Sequence, residues 1–233
     1  RSSYICLNRF DNEKRNRYGR QLEDFAWTRV SDISAGSQRR TWFALFRNTA
    51  LTRKAMDQLF KVWQTGELPG KTKLSDDELS TLAFNLAVKD YPGADSVVSR
   101  QYRRLTNPDL KKKLAFIAPA VSGSEQVRDA FFESLKKAEN REQEPWVIEA
   151  LGYLHYPLRE ASSEKYILPS LEMLEEIKAT GDIFFPASWL SATLEGHHSE
   201  TAKEIVKNFL ITHPGYPENL KLKILQAGDQ LMR

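Results

Sequence analysis

The sequence predicts an all-α chain arranged as an α-α superhelix, a HEAT/armadillo-like stack of degenerate helical hairpins. Three observations predict it. Helix-start signals fall near residues 75, 93, 108, 124, 145 and 163. Between them, apolar residues recur at i, i+3, i+4 and i+7, the spacing of one face of an amphipathic helix. The connections are short, which joins consecutive helices as antiparallel hairpins stacked side by side. The spacing of the starts is uneven and no residue signature returns at a fixed period, so the hairpins are degenerate units and not a consensus array.

Leu22, Phe25, Arg29 and Ile33 fit a long first helix, and Trp42 to Phe46 a second. Thr52 is placed to cap a third, running through Met56, Leu59, Phe60 and Trp63. Residues 65–74 (TGELPGKTKL) form the longest loop. Its Gly66 to Gly70-Lys71-Thr72 stretch has one residue too few between the glycines for a phosphate loop, follows a helix instead of a strand, and loses an N–H at Pro69. It reads as a surface turn.

Ser75 and Glu78 then fit a capping box, with Leu79, Leu82, Ala83, Leu86 and Ala87 forming a stripe behind it. Asn107-Pro108 and Glu144-Pro145 put proline where a first helical turn tolerates it. Ser124, Ser163 and Ser199 each precede an acidic residue and are read as opening three further helices. Their stripes are Val127, Phe131, Leu135 and Ala138; Ile167, Leu171, Leu174 and Lys178 with Ile177 beside them; and Ala202, Ile205, Val206 and Phe209. Leu220, Ile224, Ala227 and Leu231 form the last stripe. Breaks are expected at Tyr91-Pro92-Gly93, Ser122-Gly123, Ala179-Thr180-Gly181 and His213-Pro214-Gly215.

The expected organisation is a single helical-repeat domain over residues 1–233, long enough to be stable without metal or disulfide. The lone cysteine, Cys6, excludes an internal disulfide. No run of about 18 apolar residues is present, so a soluble chain with no membrane partner is expected. Arg1 is not an initiator methionine, which suggests a piece of a longer polypeptide. Residues 1–54 carry 12 Lys/Arg against 5 Asp/Glu, and the remaining 179 carry 22 against 26. The basic segment is interleaved with Phe, Trp and Leu at helical spacing, which favours a face meeting an acidic neighbour domain over a nucleic-acid arm.

Candidate chemistry is sparse. Zinc hydrolysis needs two imidazoles one helical turn apart with a carboxylate, and none of His155, His197, His198 and His213 lie four apart. His197, His198 and Glu200 read as a solvated loop before a helix, and His155 as a helix-end histidine with a local hydrogen bond. Ser122-Gly123-Ser124 lacks the second glycine of a nucleophile elbow. Lys111, Lys112 and Lys113, near Arg103 and Arg104, read as a solvated face because Asp109 lies alongside, and no nucleic-acid partner is expected. The five tryptophans read as knobs between helices. No catalytic and no metal-ligating residue is assigned.

Three blocks carry a family likeness. They are Asn107-Pro108-Asp109 through Phe116-Ile117-Ala118-Pro119-Ala120; Arg128-Asp129-Ala130-Phe131-Phe132, Asn140-Arg141 and Glu144-Pro145-Trp146-Val147; and Tyr166-Ile167 through Gly181-Asp182-Ile183-Phe184-Phe185-Pro186 to Trp189-Leu190. Together they resemble the C-terminal helical domain of zinc aminopeptidases of the aminopeptidase-N and leukotriene-hydrolase family, in its bacterial branch. The likeness covers residues 42–233 and is strongest from 107 onward, while residues 1–40 match only loosely.

The resemblance implies a noncatalytic domain that caps the active-site chamber and controls peptide access. Its partners would be the catalytic domain of the same polypeptide, which holds the zinc, and the peptide substrate. No cofactor is expected in this chain. The leukotriene-hydrolase branch has basic, carboxylate-binding residues after a glycine equivalent to Gly181, where this chain has Asp182 and Phe184. Asp182, Phe184 and Phe185 are therefore the candidate substrate contacts, suited to a longer peptide or one without a nearby carboxylate. A reading from the residues alone stays open beside this one, a free-standing helical-repeat scaffold that binds a protein partner.

Overall fold

The structure, a computed structural model, describes residues 12–232; Cys6 lies outside the described residues. The chain is all-α, and it divides into two compact units, residues 1–115 and 116–233.

The first unit holds α1 (Asn12–Asp32), α2 (Gly36–Thr49), α3 (Arg53–Thr65), α4 (Asp76–Val88) and α5 (Ala94–Arg104). The division falls within α6 (Pro108–Val121). Helix α1 is buried along Glu23, Ala26 and Val30, one position on from the expected line of Leu22, Phe25 and Arg29; Phe25 is 48% exposed. The sequence line failed there because a buried acid interrupts the true face. The Glu23 carboxylate is spent on the α2–α3 joint, accepting from Leu51 N, Thr52 N and Thr52 Oγ1 at 2.5, 2.9 and 2.6 Å.

Helix starts follow the predicted chemistry where the hydroxyl is free to cap. Thr52 Oγ1 accepts from Ala55 N at 3.2 Å, opening α3. Ser75 and Glu78 form the reciprocal capping box of α4. Leu82, Ala83, Leu86 and Ala87 behind it are buried with Phe84. The Asn107 side chain accepts from Asp109 N at 2.8 Å and so starts α6 at Pro108.

The 65–74 loop contains a two-residue hairpin, β1 (Glu67–Leu68) antiparallel to β2 (Thr72–Lys73). It closes over Arg39, which donates to Val30 O at 3.1 Å, to Thr72 Oγ1 at 2.7 Å and to Ile33 O. Gly70 is required here twice over, by its φ of 72° and because a Cβ would fall 2.7 Å from the Arg39 guanidinium.

The second unit contains α7 (Glu125–Ser134), α8 (Glu144–Leu154), α9 (Glu160–Ser163), α10 (Ile167–Glu172), α11 (Leu174–Thr180), α12 (Phe185–Leu194), α13 (Glu200–Thr212), α14 (Glu218–Ala227) and α15 (Asp229–Met232). Helix α12 packs on α8 and α14, and α10 on α13. Val147, Leu151, Leu154, Ile167, Leu171, Leu174, Ile177 and Trp189 are fully buried between them. Trp189 Nε1 donates to Ser170 O at 3.2 Å, so the ring enters the core without an unpaired polar atom. In the first unit Trp63 does the same toward Gln101 Oε1 at 3.0 Å.

Three local expectations are corrected. Ser163 ends α9 instead of opening a helix; its hydroxyl donates back to Arg159 O at 3.1 Å. The helix expected across this stretch tightens to a 3-10 turn at Glu164–Tyr166, where Pro169 has no N–H to return to Lys165 O and its ring crowds the turn before it. Ser124 does stand before α7 but makes no capping bond. Val127, placed on the α7 stripe, is 42% exposed, and Phe132 takes the buried position.

Candidate functional site

The turn between α11 and α12 is fixed by polar contacts that its sequence supplies. Gly181 N closes α11 on Ile177 O at 2.9 Å. Asp182 N then donates to Glu144 Oε1 at 2.7 Å, across to the start of α8. The Asp182 carboxylate accepts from Phe184 N at 2.9 Å, a local Asx turn. Phe185 N donates to Asp182 O at 3.0 Å and starts α12. Gly181 fits because nothing larger can: a Cβ would lie 2.5 Å from the Phe185 ring and 3.0 Å from Glu144 Oε1.

This wiring separates the three candidate contacts. Asp182 is exposed, and Phe184 is 73% exposed beside Ile183 at 78%. Phe185 is buried, its ring edge-on to Trp189 at 6.0 Å. It forms a wall of a cavity of about 360 Å³, with Arg141, Glu142, Glu144, Thr180 and Gly181. Asp182 and Phe184 thus sit on the turn outside, and Phe185 faces the cavity.

Arg141 is the residue that sequence reasoning missed. It is buried, donating to Leu135 O and to the Glu176 carboxylate, so its charge is neutralised within the wall. Glu142 and Glu144 leave the rim acidic, and Ile183 and Phe184 add exposed apolar surface next to it. Such a surface favours a ligand with a cationic group and an apolar side chain. Only the pairing of Asn140-Arg141 with Glu144 in one block hinted at it.

A second polar cluster lies elsewhere in this unit. His155, at the end of α8, and His197, before α13, are each 1% exposed, with Nδ1 of the first 2.8 Å from Nε2 of the second. The expected solvated loop is therefore corrected for His197, whose ring is enclosed. Burial drives its pKa down to about 4, with the Glu160 charge opposing; burial, and then the neighbouring His197, holds His155 well below its usual range. Glu160 accepts from His198 N and from Ser199 N, and Ser199 Oγ in turn caps α13 through Ala202 N at 3.0 Å.

In the basic run, Lys113 pairs with Asp77 at 3.0 Å and Lys111 lies over the Tyr102 ring at 5.6 Å. Among the described residues, no group of three or more His, Cys, Asp or Glu is placed to hold a metal ion. No described helix is long and apolar enough to cross a membrane.

Comparison with known proteins finds no matching family model, no matching curated protein and no matching solved structure.

Proposed function

We propose that this chain is the noncatalytic helical part of a zinc aminopeptidase, capping the chamber in which a catalytic segment outside this sequence removes N-terminal residues. In this reading the helical hairpins stack as a superhelix, and the polypeptide's own catalytic segment and the peptide substrate are its partners. The sequence blocks at 107–120, 128–147 and 166–190 support the reading. The observation that carries it is the Gly181–Pro186 turn. It belongs to the third of those blocks, and it exposes Ile183 and Phe184 beside an acid-rimmed cavity. A protonated amine is favoured near Glu142 and Glu144, and an apolar side chain against Phe184, which is the chemistry of a peptide.

The test is made in the intact polypeptide as its gene encodes it. Asp182→Arg and Phe184→Ala should each change the relative kcat/KM of peptides of different length by roughly tenfold. Hydrolysis of a small aminoacyl chromogenic substrate, and the zinc content, should stay as they were. Equal effects on every substrate, or none, would remove the turn from the peptide path. The isolated chain supplied with zinc should hydrolyse none of these substrates; turnover by it alone would overturn the division of labour.

A further inference from the structure

One cation in the first unit, Lys89, is held on the backbone of another, Arg47, and the Arg47 charge is felt there. Arg47 lies in the last turn of α2, and Lys89 follows the last residue of α4. The Lys89 ammonium donates to the carbonyl oxygen of Arg47 at 2.5 Å. It thereby caps the α2 C-terminus, which leaves its other N–H groups for further acceptors. The Arg47 Nε–H is buried and has no hydrogen-bond partner. Neither side chain forms an ion pair among the described residues. The Glu23 carboxylate, whose charge acts on Lys89, is buried with both oxygens committed to Leu51 and Thr52.

The electrostatics are consistent with that inventory. Burial and then the Arg47 charge push the Lys89 ammonium down to about 7, with Glu23 only partly opposing them. Counting Arg47 and Lys89 against Glu23 leaves one net positive charge in a partly desolvated place. A buried donor with no acceptor and a charge with no counterion are each costly, and an anion placed between them relieves both. One negative charge is needed, with at least two acceptor oxygens, which describes a carboxylate better than a doubly charged phosphate. The surrounding unit favours such a ligand at longer range too, since residues 1–115 carry 22 Lys/Arg against 13 Asp/Glu.

We propose that Arg47 and Lys89 form a carboxylate-binding site, one oxygen accepting from Arg47 Nε–H and the other from the Lys89 ammonium. The carboxylate has two sources, a free small acid or an acidic side chain elsewhere in the same polypeptide.

The test follows the titration midpoint of the Lys89 amine by NMR of the chain labelled at lysine Cε. In the isolated chain, sodium acetate should raise that midpoint saturably, by about one pH unit, relative to sodium chloride at equal ionic strength. Arg47→Gln, checked for retained helicity by circular dichroism, should abolish the acetate response. In the intact polypeptide without acetate, a midpoint already raised identifies the chain's own carboxylate as the occupant. A midpoint that stays low there, but rises with acetate, identifies a free acid. If neither acetate nor the intact polypeptide moves the midpoint, or if Arg47→Gln responds to acetate as the parent does, there is no such site.

Discussion

His155 Nδ1 lies 2.8 Å from His197 Nε2, and the two rings tie the end of α8 to the segment before α13. Both imidazoles are enclosed, and the outward nitrogens, His155 Nε2 and His197 Nδ1, are buried with no hydrogen-bond partner. A neutral pair satisfies one shared hydrogen bond, and a second proton adds charge where no water can solvate it.

Stability should therefore depend on pH in a stated direction. Both groups titrate below the ordinary value of 6.5, so the unfolded chain takes up protons first as pH falls. Their contribution is complete above about pH 6.5 and is lost on going down toward pH 4. For His197 alone the loss amounts to about 3 kcal/mol by linkage. Urea unfolding between pH 4 and 7.5 should show this slope, and the double variant His155→Gln with His197→Gln should flatten it. An unchanged slope in that variant would place the acid sensitivity elsewhere.

The loop that carries His197 is also sterically locked. A Cβ on Gly196 would lie 1.8 Å from the His155 carbonyl oxygen, a backbone atom that cannot swing aside. Gly196→Ala should destabilise by roughly 2–4 kcal/mol, the range of forced backbone movement in a packed site. Gly152 sits inside α8 with no neighbouring atom within 4 Å of where a methyl group would stand, so Gly152→Ala should instead stabilise by about 0.5–1 kcal/mol. Thermal unfolding of the two variants side by side checks the contrast.

Helix caps give a third comparison. Ser75 both receives and reciprocates in its capping box, whereas Ser124 stands at an equivalent position with no side-chain capping bond. Ser75→Ala should cost about 1 kcal/mol and Ser124→Ala close to nothing. Equal losses at both positions would mean that the hydroxyl, as such, is not what opens these helices.

These cases show why some of the molecule is legible in sequence and some is not. Ser75, Thr52 and Ser199 cap through neighbours three residues away, so local pattern suffices. The fold class follows from the same short-range signals. Ser124 and Ser163 each precede a glutamate, but Ser124 makes no capping bond and the Ser163 hydroxyl is diverted to Arg159 O. The α1 face was displaced because Glu23 is buried for the sake of Leu51 and Thr52, partners nearly thirty residues away. The His155–His197 contact spans 42 positions, and the Arg141–Glu176 pair 35. No spacing rule reaches that far. Asp182, Phe184 and Phe185 fall within four consecutive positions, and only the turn geometry could separate the two exposed residues from the buried ring.

That separation rests on Glu144, which yields the last prediction. Its Oε1 holds Asp182 N at 2.7 Å, and the Asp182 carboxylate then holds Phe184 N at 2.9 Å. Both bonds are near solvent, so water replaces them at small cost when they are removed. Glu144→Ala should lower global stability by only about 0.5–1.5 kcal/mol. Locally its effect should be much larger, because Asp182 N loses its partner and the Asx turn that holds Phe184 N loses its anchor to α8. Hydrogen exchange at Asp182 and Phe184 should accelerate by roughly tenfold or more, while amides in the middle of α12 keep their protection. Asp182→Ala should release Phe184 N and leave the Glu144 contact, since that bond is made by the backbone of residue 182. If Glu144→Ala speeds exchange throughout α12 as well, the carboxylate supports the helix as a whole, and the turn has no independent mobility for a ligand to exploit.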